Sequence, residues 1–428
     1  MKTAAIIAEY NPFHSGHRYQ LEQTRLQTGA DFFLVIMSGD FVQRGAPAFT
    51  DKYLRTRMAL LEGAHVVIEL PALYALSSAE FFAQGAVTLL EQLHAADFLS
   101  FGSEAGKLPL FEDCASLLVQ KEEPIRGLIH SYLKKGYSFP TARAKAVSEL
   151  VSLSDDGRDF SPQSLDELFS SPNNILGIEY CKALQNTGSS IRPFTVKRKG
   201  MGYHDREPAA AAPQDTFLSA SALRKMLAES PAHIQKYMGQ TACDALIDEL
   251  SLYPFVSEEV FSQMLHYKLL SEQEKGFCDY LDCSPSLSDK ICKNLPLFES
   301  FSSFCHLLKS RELTYARISR VLMHILLDIK APEAFKKPFS ERILSAPYAR
   351  LLGFRKSAAP LLSAIRKNSA IPLISKLADA KELLDKQAFD MLKQDIYCAD
   401  VYEAARPKVS GAPLHNEWKR PPVVIADL

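Results

Sequence analysis

Several signatures that would assign this sequence at once are missing from it. Its eight cysteines contain no CxxC pair, so the paired knuckles of zinc sites are absent. The densest run, Cys278, Cys283, Cys292 and Cys305, has gaps of five, nine and thirteen residues, and these thiols read as small buried hydrophobes, with no metal site expected. No stretch approaches 18 uncharged apolar residues, so no membrane-spanning helix is expected. Glu9 interrupts the N-terminal apolar run too early for a secretion signal. A soluble chain in a reducing, cytoplasmic compartment is the expectation. Net charge is nearly absent too: 49 Lys and Arg face 50 Asp and Glu, so any basic surface has to be local. Neither a repeat nor an RNA-recognition signature of the sheet or KH kind is visible.

What is present is ordinary globular composition: 428 residues, 47% hydrophobic and 23% charged, enough for two to three domains. The first hundred residues alternate. Short apolar, β-branched runs at Thr3–Ala8, Phe32–Ser38, His65–Leu70 and Phe98–Gly102 are separated by helical patterns at His17–Gln27, Asp51–Leu61 and Ala79–His94. That alternation indicates βαβ units and a parallel sheet. Ser171-Pro172 opens a further helix, Ile191–Lys197 reads as a strand, and Ser221–Ala228 as a helix. Ser154–Pro162 and Pro208–Pro213 read as loops. Beyond about residue 230, leucine-rich helical segments dominate, among them Arg317–Ile329, Arg342–Leu352 and Lys381–Gln394. The expected architecture is α/β, a Rossmann-like sheet domain over 1–230 followed by an α-helical domain over 231–428.

The stretch richest in chemistry is Ile7-Ala8-Glu9-Tyr10-Asn11-Pro12-Phe13-His14-Ser15-Gly16-His17. A strand ends, a short turn carries Asn and Pro, and a helix opens with His-Ser-Gly-His. A helix N-terminus offers unpaired N–H groups and about half a positive charge to an anion. Gly16 allows close approach to the backbone. Two histidines three apart share a helical face and can donate to phosphate oxygens. A capped helix with two surface histidines is the bland alternative; position at the first strand-to-helix turn of a doubly wound sheet favours the phosphate site.

Asp40, in Ser38-Gly39-Asp40, follows the second strand and reaches the same sheet edge. It either holds Mg²⁺ or orients a nucleophile, or it caps the helix that follows. Arg44, Lys52 and Arg55 supply positive charge nearby, and Arg57 reads as a solvated position. Asn173 and Asn174 open one helix; capping explains one asparagine but hardly two. Arg198 ends a strand where a guanidinium can bridge phosphate oxygens. From Lys309 to Ala378 there are 14 Lys or Arg and 4 Asp or Glu. Interleaved with Phe and Tyr, that segment is the electrostatic footprint of a nucleic-acid partner, or else a set of solvated basic faces. Arg350, Arg355 and Lys356 are its candidate nucleic-acid contacts.

The HxGH turn and Ser219-Ala220-Ser221-Ala222-Leu223-Arg224 resemble the nucleotidyltransferase superfamily. More narrowly, Ile7–Gln20, Ser38–Gly45, Phe101–Glu104, Ser171–Tyr180 and Gly202–Asp205, with Tyr348–Phe354 and Ile371–Lys376, resemble the bacterial tRNA(Met) cytidine acetate ligases. The resemblance implies a ligase that activates acetate with ATP, with Mg²⁺ alongside, and acetylates N4 of the wobble cytidine of elongator tRNA(Met). By the same likeness the stretch Ile7–His17 together with Gly102, Asn173, Arg198, Ser219 and Arg224 binds ATP, and His14, His17 and Asp40 are catalytic. Two other classes stay open: an adenylyltransferase for a small phosphorylated metabolite, and a non-enzymatic ATP-sensing RNA-binding protein. The 198 residues beyond position 230 and their basic bias count against the first.

Overall fold

Continuous apolar runs become strands where helices cover both faces of a sheet. In the computed structural model, which describes residues 1–153, 162–199, 217–218, 220–229, 231–342 and 344–426, the runs do so at Thr3–Ala8 (β1), Phe32–Ser38 (β2), Val66–Leu70 (β3), Phe98–Ser103 (β4) and Arg192–Lys197 (β5). Ala4, Leu34, Val35, Ile36, Val66 and Ile68 are wholly buried. These strands are parallel, in the order β3-β2-β1-β4-β5. Connections from β1 go first to one side and later to the other, so a crevice opens outside the carboxyl ends of β1 and β4. The helices that position it are Ser15–Thr28 (α1), Lys52–Leu61 (α2), Ala79–Leu93 (α3), Pro172–Thr187 (α4), Ala220–Glu229 (α5) and Tyr315–Leu326 (α6). A two-stranded hairpin, Phe41–Val42 with Ala46–Pro47, projects between β2 and α2. Of the loop expected over Ser154–Pro162, residues 154–161 fall outside the described residues, as does 208–213, and Pro162 opens the helix Pro162–Ser170.

The second half of the chain departs from expectation. Ala349–Arg355 (β6), Leu373–Ile374 (β7) and Val423–Ile425 (β8) join the same sheet. β6 lies antiparallel to β3, and β7 and β8 pair parallel with β6. The boundary at residue 230 therefore does not part sheet from helices; within Arg342–Leu352, expected as a helix, residues 344–348 are irregular and Ala349–Leu352 belong to an interior strand. A short buried apolar run such as Leu351-Leu352 cannot be told from a buried helix by periodicity. Between residues 240 and 326 the chain is helical as expected. Phe261, Leu265, Phe304 and Leu322 of that region share one hydrophobic cluster with Leu34, Ile36 and Val66 of the sheet, so both halves bury a common core.

Charge is buried with it. Arg350 of β6 is only 3% exposed, with Nη1 3.0 Å from Glu69 and Nη2 against Glu417. Lys52 Nζ lies 2.8 Å from Glu69 and 2.7 Å from Glu417. Arg350 is therefore not an RNA contact: partners on β3 and near the C-terminus consume its charge. Arg355, half-buried, donates from Nε and Nη2 to the carbonyls of Leu60 and Leu61, closing the end of α2. Of the three residues expected to meet tRNA, Lys356 alone is exposed. Lys52 and Arg55 are buried too. Arg57 is exposed, as expected. Six of the cysteines are buried and none is in a disulfide. Among the described residues there is no cluster of three or more His, Cys, Asp or Glu able to hold a metal ion, and no helix long and apolar enough to cross a membrane.

Removing one partner of a buried ion cluster leaves the others uncompensated. Arg350→Ala should lower unfolding free energy in urea titrations by about 3–5 kcal/mol; a loss below about 0.5 kcal/mol, as at an exposed site, would contradict this account of Arg350.

Candidate functional site at the carboxyl edge of the sheet

α1 begins with an unusual cap. His14, in extended conformation (φ −151°), is the N-cap residue; its Nδ1 accepts the Gly16 N–H at 3.1 Å, and His17 Nδ1 accepts the His14 N–H at 3.2 Å. The two imidazoles thus form the reciprocal box usually made by Ser or Thr with Glu. Glycine is required between them, because a Cβ at residue 16 would lie 2.9 Å from His14 Cε1. The rings stack with centroids 3.7 Å apart.

This arrangement decides their protonation. With Nδ1 accepting, each neutral ring carries its proton on Nε2. Burial first, then the Arg198 and Arg224 charges, lower the His14 pKa to about 3. Burial, His14 and Arg198 hold His17 well below its ordinary value. Two uncharged rings therefore each offer an N–H beside the open end of α1.

They line a cleft of about 740 Å³. Of the stretch expected to bind ATP, Ile7, Ala8, Glu9, Tyr10, Asn11, His14 and His17 face the cleft, whereas Pro12, Phe13, Ser15 and Gly16 do not. Phe13 is fully buried, with its ring 4.8 Å from Tyr10 and 5.4 Å from His17. Gly102, Asn173, Arg198 and Arg224 complete the lining from β4, α4, the end of β5 and α5. Arg198 Nε stands 3.4 Å from Glu104, which also accepts from Asn173 Nδ2 at 2.7 Å. Arg224 Nη1 donates to the Asn11 carbonyl at 2.7 Å and so holds the turn before α1. The two asparagines divide their work: Asn174 is buried and accepts the Glu104 and Ala105 N–H groups at 2.9 and 3.2 Å, ordering the loop after β4, while Asn173 faces the cleft. Ser219 and Gly202–Asp205 lie outside the described residues.

Asp40 stands elsewhere. It is 6% exposed, outside the cleft lining; one oxygen accepts the Lys52 N–H at 2.8 Å and the other is 3.5 Å from Lys52 Nζ. It takes up a free N–H in the first turn of α2, the capping alternative, and its oxygens are not offered to Mg²⁺ or a nucleophile.

The sequence reading missed Tyr180, Leu176, Phe82 and the hairpin's Gln43, all cleft-lining. A signal existed for two of them: Asn173, Leu176 and Tyr180 recur at helical spacing on one face of α4.

The HIGH Nucleotidyl Transferase family model matches residues 1–416. A tRNA(Met) cytidine acetate ligase of Clostridium perfringens (strain SM101 / Type A) is 35% identical, covering 99% of this chain and 100% of that protein. One of Thermoanaerobacter pseudethanolicus is 38% identical over 97% of this chain and 98% of its own length. The crystal structure of Thermotoga maritima TmcAL in its apo form superimposes with a TM-score of 0.90 at 27% identity, covering both chains fully. The same protein bound with alpha-thio ATP gives a TM-score of 0.86.

The neutral histidines carry a pH signature. Their folded pKa values lie below the unfolded value of about 6.5. Acid therefore favours the unfolded chain, and the loss of stability begins near pH 6.5, where the unfolded chain takes up protons first. Between pH 6.5 and 4.5 the slope should reach at most about 1.4 kcal/mol per pH unit for each histidine. In urea titrations across this range, the double variant His14→Gln/His17→Gln should lose less stability than the parent. Equal losses would mean that the rings are charged in the folded protein.

Proposed function

Because the chain belongs to the HIGH nucleotidyltransferase family, and within it to the tRNA(Met) cytidine acetate ligases, we propose that it activates acetate as acetyl-adenylate and transfers the acetyl group to N4 of the wobble cytidine of elongator tRNA(Met). The observation that carries the first step is the pair of Nε2–H donors of His14 and His17 at the α1 N-terminus, flanked by Arg198 and Arg224.

ATP lies with its phosphates against α1 and its nucleoside toward Gly102 and Asn173. An acetate oxygen attacks the α-phosphorus and pyrophosphate leaves. Charge gathering on the phosphate oxygens meets two oriented donors and two guanidiniums, which need little reorganisation as the reaction proceeds. The cytidine N4 then attacks the acetyl carbonyl and AMP departs. No cysteine lines the cleft among the described residues, and none is needed, since the mixed anhydride is already activated. Mg²⁺ travels with ATP in this proposal; with Asp40 engaged by Lys52, no step is assigned to the metal. tRNA rests on exposed basic residues of the helical side, Lys356 with Arg366 and Lys367, and the cytoplasm is the expected location.

Nucleosides from tRNA incubated with the protein, ATP and labelled acetate should contain labelled N4-acetylcytidine by mass spectrometry. His17→Ala should slow acetate-dependent ATP–pyrophosphate exchange on the order of 10²-fold, the loss typical of one transition-state donor. Exchange at the parent rate would remove the phosphate-site assignment. Brisk pyrophosphate release with a phosphorylated metabolite and no RNA would favour the adenylyltransferase instead.

A further inference from the structure

The anion-binding groups of the cleft occupy one side, around the start of α1, the end of β5 and α5. The hairpin, residues 255–258 and α4 also contribute to the lining, and among the described residues its two carboxylates are Glu9, at the end of β1, and Glu258. A carboxylate there repels a triphosphate and acetate alike. It suits a ligand that brings N–H groups.

Glu9 is held firmly. Its carbonyl accepts from Arg55 Nη1 at 2.7 Å, and Oε1 accepts the Gln43 N–H at 3.0 Å. Oε2 has no hydrogen bond among the described residues. Tyr180, 4% exposed, lines the same cleft as Glu9. Its hydroxyl lacks a hydrogen-bond partner among the described residues too, and burial, then Glu9, keeps it protonated and so able to donate. The Phe101 ring stands 5.9 Å from Tyr180, and Phe82 and Leu176 add apolar surface to the lining. One acceptor and one donor without partners among the described residues therefore line the cleft, with the Phe101 ring beside the donor.

We infer that Glu9 and Tyr180 form the cytosine subsite of this cleft, Glu9 Oε2 accepting the exocyclic N4–H and the Tyr180 hydroxyl donating to an acceptor on the same base edge. This rests on the ligase function proposed above. Cytosine offers a donor at position 4, whereas uracil places a carbonyl oxygen there, which would face a carboxylate. The subsite thus discriminates by repulsion as well as attraction. Glu9 also acts in the transfer. The N4–C bond forms as the acyl C–O bond of the adenylate breaks, AMP leaves with that electron pair, and the N4 proton passes to Glu9 and then to water. The carboxylate that selects the amine is the base that deprotonates it.

Glu9→Gln keeps the size and the oxygen that accepts from Gln43, and turns the free oxygen into a donor. In the full-length protein, single-turnover acetyl transfer from the preformed adenylate to tRNA should fall at least about 10²-fold. Acetate-dependent ATP–pyrophosphate exchange without RNA should fall at least about ten-fold less than transfer does in the same variant. The parent should bind tRNA with cytidine at the target position at least about five-fold tighter than the same tRNA with uridine there. Glu9→Gln should erase that preference, and Tyr180→Phe should narrow it. Exchange falling as far as transfer would overturn the inference by assigning Glu9 to ATP or its metal. So would transfer and base preference like the parent's. No acetate-dependent exchange in the parent itself would overturn the ligase function and the subsite with it.

Discussion

The carboxyl ends of β1 and β2 converge on the guanidinium of Arg55, which has no exposure to solvent. Nη1 donates to the carbonyls of Glu9 and Ser38 at 2.7 and 3.1 Å, Nη2 to that of Gly39, and Nε to that of Thr50 at 3.1 Å. Glu9, Ser38 and Gly39 lie where β1 and β2 end and Thr50 just before α2, and buried without partners their carbonyls would be costly. A planar fork of five donors can gather four of them, which a lysine ammonium cannot. The turn into α1 and the path of Glu9 both depend on it.

A second buried cluster unites the two halves of the chain. Lys52 from α2, Glu69 from β3, Arg350 from β6 and Glu417 meet out of water, and Asp51 beside them takes Arg406 at 3.1 Å and Arg420 at 3.0 Å. Such clusters add little net stability compared with apolar packing, but they tolerate no missing partner. The cleft lining depends on this union, since residues 255–258 come from the helical half. The hairpin is seated on that half as well: Ser319 Oγ of α6 donates to the Gly45 carbonyl at 2.6 Å, and a Cβ at Gly45 would lie 2.3 Å from the Arg320 nitrogen. Only glycine permits this approach, and Gln43 is thereby brought to Glu9.

The chemistry of the cleft follows from how its donors are held. Imidazoles that spend Nδ1 on backbone N–H groups cannot change tautomer without breaking the cap of α1. They stay neutral because they are buried beside guanidiniums. In the proposed reaction, phosphate meets directional donors from the histidines and full charge from the arginines. Glu104 shares Arg198 with the ligand site, which positions that guanidinium while leaving it partly exposed.

Much of this was legible in the order of the residues. β1 and β2 begin and end where their apolar runs do, and Ser171-Pro172 marks the start of α4, because periodicity, N-cap preference and turn chemistry act over a few neighbours. The turn from β1 into α1 was legible for the same reason: strand, Asn-Pro turn and His-Ser-Gly-His are contiguous, and their geometry is local. The fate of the charges was not. Arg350 looked like a surface cation, Asp40 like an active-site carboxylate, and Arg342–Leu352 like a helix. Their partners, Glu69, Glu417 and Lys52, and the strands that flank β6, are distant or separated by other elements in sequence. Tyr180 had the spacing of a cleft residue but nothing local to say what it faced. The sequence alone determined the first five strands, the helix starts beside them and the turn into α1; the tertiary structure alone decided which ionised groups meet water and which meet each other, because burial and ion pairing are set by chain segments that come together only when the sheet closes.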